Sequence, residues 1–190
     1  DPDAQVAKRD SGTWLHAVLG PSHEALHDAP TTDAGARLAL IGRAAERASS
    51  ELGLSESEFL PFAAAWPAVR DGYLRWLVGH EAGEGARFAE SEADRQQALG
   101  AITLRGRLDR IDRTADGRPF VIDYKTESLD TSKKRVAEPF EDTQLAFYAA
   151  LLEDDALRAA YVNVGEKSSG THTVGQHDVV DVRGALMAGR

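Results

Sequence analysis

Hydrophobic residues recur at helical intervals over the first part of the chain and then change to strand-like alternation. SGTWLHAVL, Ser11 to Leu19, has helical character, and Asp33 is placed to cap a helix carrying Leu38, Ile41, Ala45 and Ala48 on one side. Phe59, Phe62, Ala63, Trp66, Val69, Tyr73, Trp76 and Leu77 keep the same spacing, with Ser55 and Glu58 as a capping box and a bend or break expected near Pro67. That aromatic stripe reads as core. After Gly83 and Gly85 the pattern changes: ARFAESEA (86–93) and AITLRGRLDRID (101–112) read as strands, TADGRP as a turn around Asp116 and Gly117, and PFVIDYKT (119–126) as the returning strand. DTQLAFYAALLEDD, Asp142 to Asp155, reads as a helix capped by Asp142, and AAYVNVG (159–165) as a further strand. The stretch from Glu127 to Pro139, with Lys133-Lys134-Arg135, is the candidate mobile loop. These elements predict a single α/β domain over residues 1–190.

Composition narrows the picture. With 190 residues, 42% of them hydrophobic, the chain can build one substantial core. It has no cysteine, which excludes disulfides, thiolate zinc sites and iron–sulfur clusters. The N-terminus, DPDAQVAKRD, lacks an apolar signal core and no apolar run approaches the length of a membrane span, so a cytoplasmic protein without membrane association is expected. The one methionine is Met187, so the chain reads as a piece of a larger protein. The net charge of −9 argues against nonspecific attraction to nucleic acid. From Arg105 to Arg135, however, nine basic residues face six acidic ones, so a polyanion would be met locally.

Candidate chemistry centres on FVIDYKT, 120–126. Side chains at i and i+2 of a strand share a face, so Asp123 and Lys125 point the same way. With Asp116 and Gly117 at the hairpin tip, residues whose numbers sum to about 233 face each other, which sets Asp109 opposite Tyr124 and beside Asp123. Two converging carboxylates repel unless a positive charge sits between them, and carboxylate oxygens suit a hard divalent ion, Mg²⁺ or Mn²⁺. The lysine is then available to position an attacking water or to neutralise charge on a pentavalent phosphorus. An ion-paired patch on a solvated sheet face accounts for these three residues equally well.

Four motifs in order shift that balance: G-T-W-L-H at 12–16, G-R-L-D-R-I-D at 106–112, I-D-Y-K-T at 122–126 and Q-L-A-F-Y at 144–148. Together they resemble the RecB-like branch of the PD-(D/E)xK nuclease superfamily, the nuclease domains of helicase–nucleases such as RecB and AddB. The resemblance implies a restriction-endonuclease-like core, a mixed central sheet flanked by helices, with a helical insertion from about Pro21 to Gly85. It implies His16 as a metal ligand, Asp109 and Asp123 as the central metal carboxylates, the Tyr124 carbonyl as a further ligand and Lys125 as the catalytic lysine. Gln144 and Tyr148 would line the site and help place the nucleic acid. The implied activity is Mg²⁺- or Mn²⁺-dependent DNA cleavage, as an exonuclease in repair or recombination, with a helicase domain or subunit as partner. Leu108 in place of proline before Asp109 is tolerated in this branch, and the cysteines that hold an iron–sulfur cluster in some AddB-type relatives are absent.

Simpler readings stand beside each residue. His16 next to Trp14 and Leu15 also suits a half-buried structural histidine, Gln144 and Tyr148 a helix surface pair, and Glu90 a solvated strand acid. HEALH at 23–27 satisfies H-E-x-x-H, the zinc protease pattern, with Glu46 as a conceivable third ligand. It is enclosed between Gly20-Pro21 and Asp28-Ala29-Pro30, and the longer extension fails at Pro30 and Asp33, so a polar surface turn or short helix is favoured. A third class is an inactive nuclease fold serving as a DNA-binding or docking module. The His, Asp, Asp and Lys set argues for intact chemistry.

Overall fold

The computed structural model describes residues 2–137, 148, 151–152, 158–165 and 170–178. Four helices come first: α1 (Pro2–Asp28), α2 (Ala34–Glu51), α3 (Glu56–Ala63) and α4 (Trp66–Glu84). Of the three anticipated caps, those at Asp33 and Ser55 form, and Asp142 lies outside the described residues. The Asp33 carboxylate accepts from the Ala36 N–H at 2.8 Å, and Ser55 and Glu58 exchange side-chain and backbone hydrogen bonds in a complete capping box. Pro67 stands in the first turn of α4, where its missing N–H costs nothing, and the stripe breaks there into α3 and α4.

Other helical expectations need correction. α1 does not stop before Pro21 but runs through it to Asp28, so HEALH is helical but forms the last turns of a long helix, not a surface turn or a short helix of its own. In α2 the inward position expected for Leu38 belongs to Arg37: Leu38 is 39% exposed, while Arg37 is buried in a two-pronged pair with Glu81 at 2.6 and 2.9 Å. Gly85 ends α4 in the left-handed conformation at φ 59°, and a Cβ there would stand 2.7 Å from the Ala115 Cβ, so the helix end and the hairpin turn meet only across a glycine.

Five strands form one mixed sheet in sequential order: β1 (Arg87–Leu99), β2 (Ile102–Arg113), β3 (Pro119–Lys125), β4 (Arg158–Asn163) and β5 (His172–Asp178). Every pairing is antiparallel except β3 with β4. β1 extends six residues beyond the expected Ala93, to a turn at Gly100, and β5 was not anticipated. The segment read as a mobile loop instead contains α5 (Leu129–Ala137). The Ser128 hydroxyl accepts from the Thr131 N–H at 3.2 Å, and the buried Ser132 hydroxyl lies between Glu127 and Asn163 of β4. A local cap and a buried anchor outweigh the run of charges. The helix expected from Asp142 to Asp155 lies mostly outside the described residues; Tyr148 and Leu151 are helical.

The core occupies both faces of the sheet. On one, Phe120, Ile122 and Tyr124 of β3 and Ala160 and Val162 of β4 pack with Trp14, Val18 and Leu19 of α1, Ile41 and Ala45 of α2 and Tyr73 of α4. On the other, Val121, Ala159 and Tyr161 pack with Tyr148, Leu151 and Val174. β3 is buried on both faces, and its last residues carry the chemistry to the edge of the core.

Candidate active site

The β2–β3 ladder runs from Arg113 opposite Pro119 to Arg110 opposite Ile122, so facing residue numbers sum to 232. The sequence register was one residue off, because the turn closes as Thr114 N–H to Arg118 carbonyl rather than tightly on Asp116-Gly117. Asp109 therefore falls across from Asp123, just past the ladder. There its Oδ2 accepts from the Tyr124 N–H at 2.9 Å, and a carboxylate takes the place of a backbone carbonyl.

Asp109 also lies at a break in strand alternation. Leu108 and Ile111 pack in the same core cluster although three residues apart. On the partner strand Ser91 pairs with Arg110 and Ala93 with Leu108, which brackets Glu92 opposite Asp109, and Glu92 adopts φ 49°, a strained conformation for a residue with a Cβ. Through this kink Asp109 reaches both His16 of α1, whose Nδ1 is 3.6 Å from its Oδ1, and the carboxylates of the sheet. His16, Glu92 and Asp109 offer ligand atoms that all lie within 4.8 Å of one another.

Asp123 and Lys125 share the face of β3 opposite the α1 side. Lys125 Nζ is 3.0 Å from Asp123 Oδ2 and 5.2 Å from the centre of the Tyr161 ring. That approach is an ion pair by distance, but it lacks hydrogen-bond geometry: Asp123 Oδ2 is buried with no hydrogen-bond partner, while Oδ1 accepts from the Tyr148 hydroxyl at 3.3 Å. Tyr148 is itself buried, so its hydroxyl addresses the carboxylate rather than solvent. Gln144 lies outside the described residues.

The charges are unevenly compensated. Asp123 has Lys125, and Glu92 has Arg107, whose Nε is 2.8 Å from Glu92 Oε2. Asp109, between them, has a backbone N–H, His16 and the facing Asp123 carboxyl, and no lysine or arginine partner among the described residues. Burial and then the Asp123 carboxylate push its pKa up to about 8, against the lowering effect of the Tyr124 N–H. In the absence of a cation the Asp109–Asp123 pair is thus biased toward holding a proton. A buried carboxylate oxygen that has the Lys125 ion pair but no hydrogen bond, a proton shared by the Asp109–Asp123 pair, and a donor set of oxygens plus one imidazole all fit a divalent ion.

A model of the PD-(D/E)XK nuclease superfamily matches residues 1–185, nearly the whole chain. The chain belongs to this superfamily. PD-(D/E)XK nucleases use divalent metals, in keeping with the ligand group around Asp109, and membership points to a phosphodiester hydrolase. A solved structure described as "Crystal structure of SSO0001" is similar at 17% identity, covering 91% of this chain and 72% of that chain, with a TM-score of 0.33. None of the curated proteins matches the chain.

In this PD-(D/E)XK chain the acid ahead of the hairpin that approaches the site is Glu92. Glu90 is exposed and pairs with Arg95. The missed signal was the turn glycine: with Gly100 and Ala101 at the tip of β1–β2, Glu92 and not Glu90 falls opposite Asp109. HEALH is occupied otherwise. Glu24 accepts from the Ser91 hydroxyl at 2.7 Å, His27 is exposed beside Phe88, and Glu46 is exposed on α2. His23 is buried, with its Nε2 at the Tyr73 hydroxyl and 2.9 Å from an Arg110 nitrogen. Burial and the Arg110 charge hold His23 well below the usual histidine range, so it is neutral.

Arg110 is the centre of a buried network that the sequence did not announce. It grips Asp112 through two hydrogen bonds at 2.6 and 2.8 Å and reaches the Tyr73 and Tyr124 hydroxyls at 3.1 and 3.2 Å. His80 meets Asp112 at 2.8 Å. The network joins α1, α4, β2 and β3 directly behind Tyr124, the residue between Asp123 and Lys125.

Proposed function

We propose that this protein is a divalent-metal-dependent DNA nuclease of the RecB-like branch, acting as an exonuclease in repair or recombination. The observation that carries the reading is the convergence of Asp109, Asp123 and Lys125 around a buried carboxylate oxygen that lacks a hydrogen bond. Asp109, His16 and Glu92, with Asp123 beside them, would hold Mg²⁺ or Mn²⁺, and the Tyr124 carbonyl is proposed as a further ligand. The ion would supply Lewis acidity and positive charge at the scissile phosphate.

The remaining chemistry belongs to the side chains. The Tyr124 N–H fixes the Asp109 carboxylate, and the Tyr148 hydroxyl orients Asp123. Lys125, held over the Tyr161 ring at the end of β3, donates to the attacking water or to the charge that develops on the phosphoryl oxygens. Gln144 and Tyr148 are proposed to help place the strand. The overall negative charge supports a partner that delivers DNA, a helicase domain or subunit, with the nuclease domain, including its helical insertion, as one part of a larger protein. A cytoplasmic location is proposed together with this reading. Among the described residues no helix is long and apolar enough to cross a membrane.

The deciding experiment is cleavage of single- and double-stranded DNA with Mn²⁺, wild type beside Lys125→Ala. Metal-dependent cleavage that falls by about 10²-fold or more in the variant is the expected result. Full activity in the variant overturns the assignment. No cleavage by either protein favours an inactive DNA-binding or docking module.

A further inference from the structure

Arg107 stands on the open side of the metal-ligating group. Its side chain is 63% exposed, yet its Nε is 2.8 Å from Glu92 Oε2. Glu92 in turn shares the cluster with His16 and Asp109. Lys125, the other cation paired with a site carboxylate, is mostly covered and lies over Tyr161. The two basic side chains thus have different reach: one is seated in the site and one stands at its mouth.

An ion bound by His16, Glu92 and Asp109 competes with Arg107 for the same carboxylate. A divalent charge at ligand distance outcompetes a single delocalised charge on a flexible, solvated side chain. A displaced guanidinium keeps its preference for planar, two-oxygen anions, and phosphate is bound by the same fork that binds carboxylate. We propose that Arg107 is a substrate-phosphate-binding residue, held on Glu92 until a divalent cation takes that carboxylate and thereby turns Arg107 toward the nucleic acid. The phosphate half of this inference rests on the nuclease reading; the competition for Glu92 does not.

The alternative is a cross-strand surface pair that supports the β1–β2 arm and nothing else. The two roles differ in sign. Calorimetric titration with Mn²⁺ alone should show Arg107→Ala binding the ion about two- to fivefold more tightly than wild type, the scale of one exposed ion pair. Arg107→Lys, which keeps the competing charge, should stay close to wild type. DNA binding is then measured by anisotropy of a labelled oligonucleotide in a Lys125→Ala background, which suppresses cleavage. With Mn²⁺, Arg107→Ala should weaken binding several-fold and reduce the salt slope by about one. In EDTA, with Arg107 still on Glu92, the same substitution should change little. Equal or weaker Mn²⁺ binding by Arg107→Ala, or the same loss of DNA affinity with and without Mn²⁺, overturns the inference, as does a parent protein that binds no DNA with Mn²⁺. Failure of the nuclease reading is registered separately, as absence of Mn²⁺-dependent cleavage by the wild type, and leaves the Mn²⁺ titration to decide on Arg107.

Discussion

The Tyr124 N–H donates to Asp109 Oδ2 at 2.9 Å, so one carboxylate both ends the β2–β3 ladder and belongs to the metal-ligating group. The bond couples the position of Asp109 to the strand that bears Asp123 and Lys125. It also opposes the protonation that burial and Asp123 impose, without overcoming it.

Metal-free stability should therefore improve when Asp109 loses its charge. Its folded-state pKa, about 8, lies above the 3.8 of an unfolded-chain aspartate, so its contribution is fully present below pH 3.8 and is lost as pH rises through about 8. Asp109→Asn, uncharged at every pH, should match wild type near pH 4 and exceed it near pH 8 in EDTA, by about 1 kcal/mol or more. Added Mn²⁺ should raise the wild-type Tm and leave the variant unchanged. Melting curves at both pH values, with EDTA or Mn²⁺, check this. A variant that melts lower than wild type in EDTA at pH 8 would mark Asp109 as a structural ion-pair partner.

Lys125→Ala should abolish cleavage while Mn²⁺ binding survives, because the ammonium is no ligand. Binding by calorimetry and cleavage on the same preparation separate the two roles. Loss of both in a folded variant contradicts the assignment.

Glu92→Gln should weaken Mn²⁺ binding, and Glu90→Gln should not, although the two acids are two residues apart. Glu92 shares the ligand group with Asp109, whereas Glu90 is spent on Arg95 at the surface. Parallel titrations of the two variants decide it, and equal losses would remove Glu92 from the ligand set.

The Arg110 network should behave as one unit. Arg110→Met leaves the Asp112 carboxylate buried beside His80 without its principal cation, and the expected cost is about 3–5 kcal/mol by denaturant unfolding. Burial opposes the charge on Asp112, but the Arg110 guanidinium and the His80 hydrogen bond overcome it and hold the carboxyl down to about 2. Its stabilisation is present above pH 3.8 and is lost as pH falls through about 2, so the wild-type advantage over Arg110→Met should shrink across that window. His23→Ala, which removes a partner of Arg110 and Tyr73, should destabilise by about 1–3 kcal/mol. The exposed His27→Ala should not, and neither should shed zinc.

Much of this was legible because it is local. Caps at Asp33 and Ser55 and alternation in FVIDYKT depend on residues a few positions apart. The hairpin register failed by one residue because the turn is looser than the Asp-Gly pair suggested, and the strand kink at Asp109 and Glu92 has no counterpart in a two-residue period. α5 was hidden by its charges, since what holds it is Asn163, a residue far along the chain. Arg110 could not be read as buried, because a charged residue in a strand is ordinarily solvated and its partners come from four separate elements.

The single parallel pairing, β3 with β4, has a kinetic consequence. Antiparallel neighbours β1, β2 and β3 are joined by short turns and can zip together as the chain emerges, which brings Asp109 and Asp123 side by side at once. Tyr161, the ring beneath Lys125, lies on β4 and must wait until a long crossover has closed. By contact order the two carboxylates should come together before the seat of the lysine does, so a chain halted before β4 would already hold both acids without a finished place for Lys125.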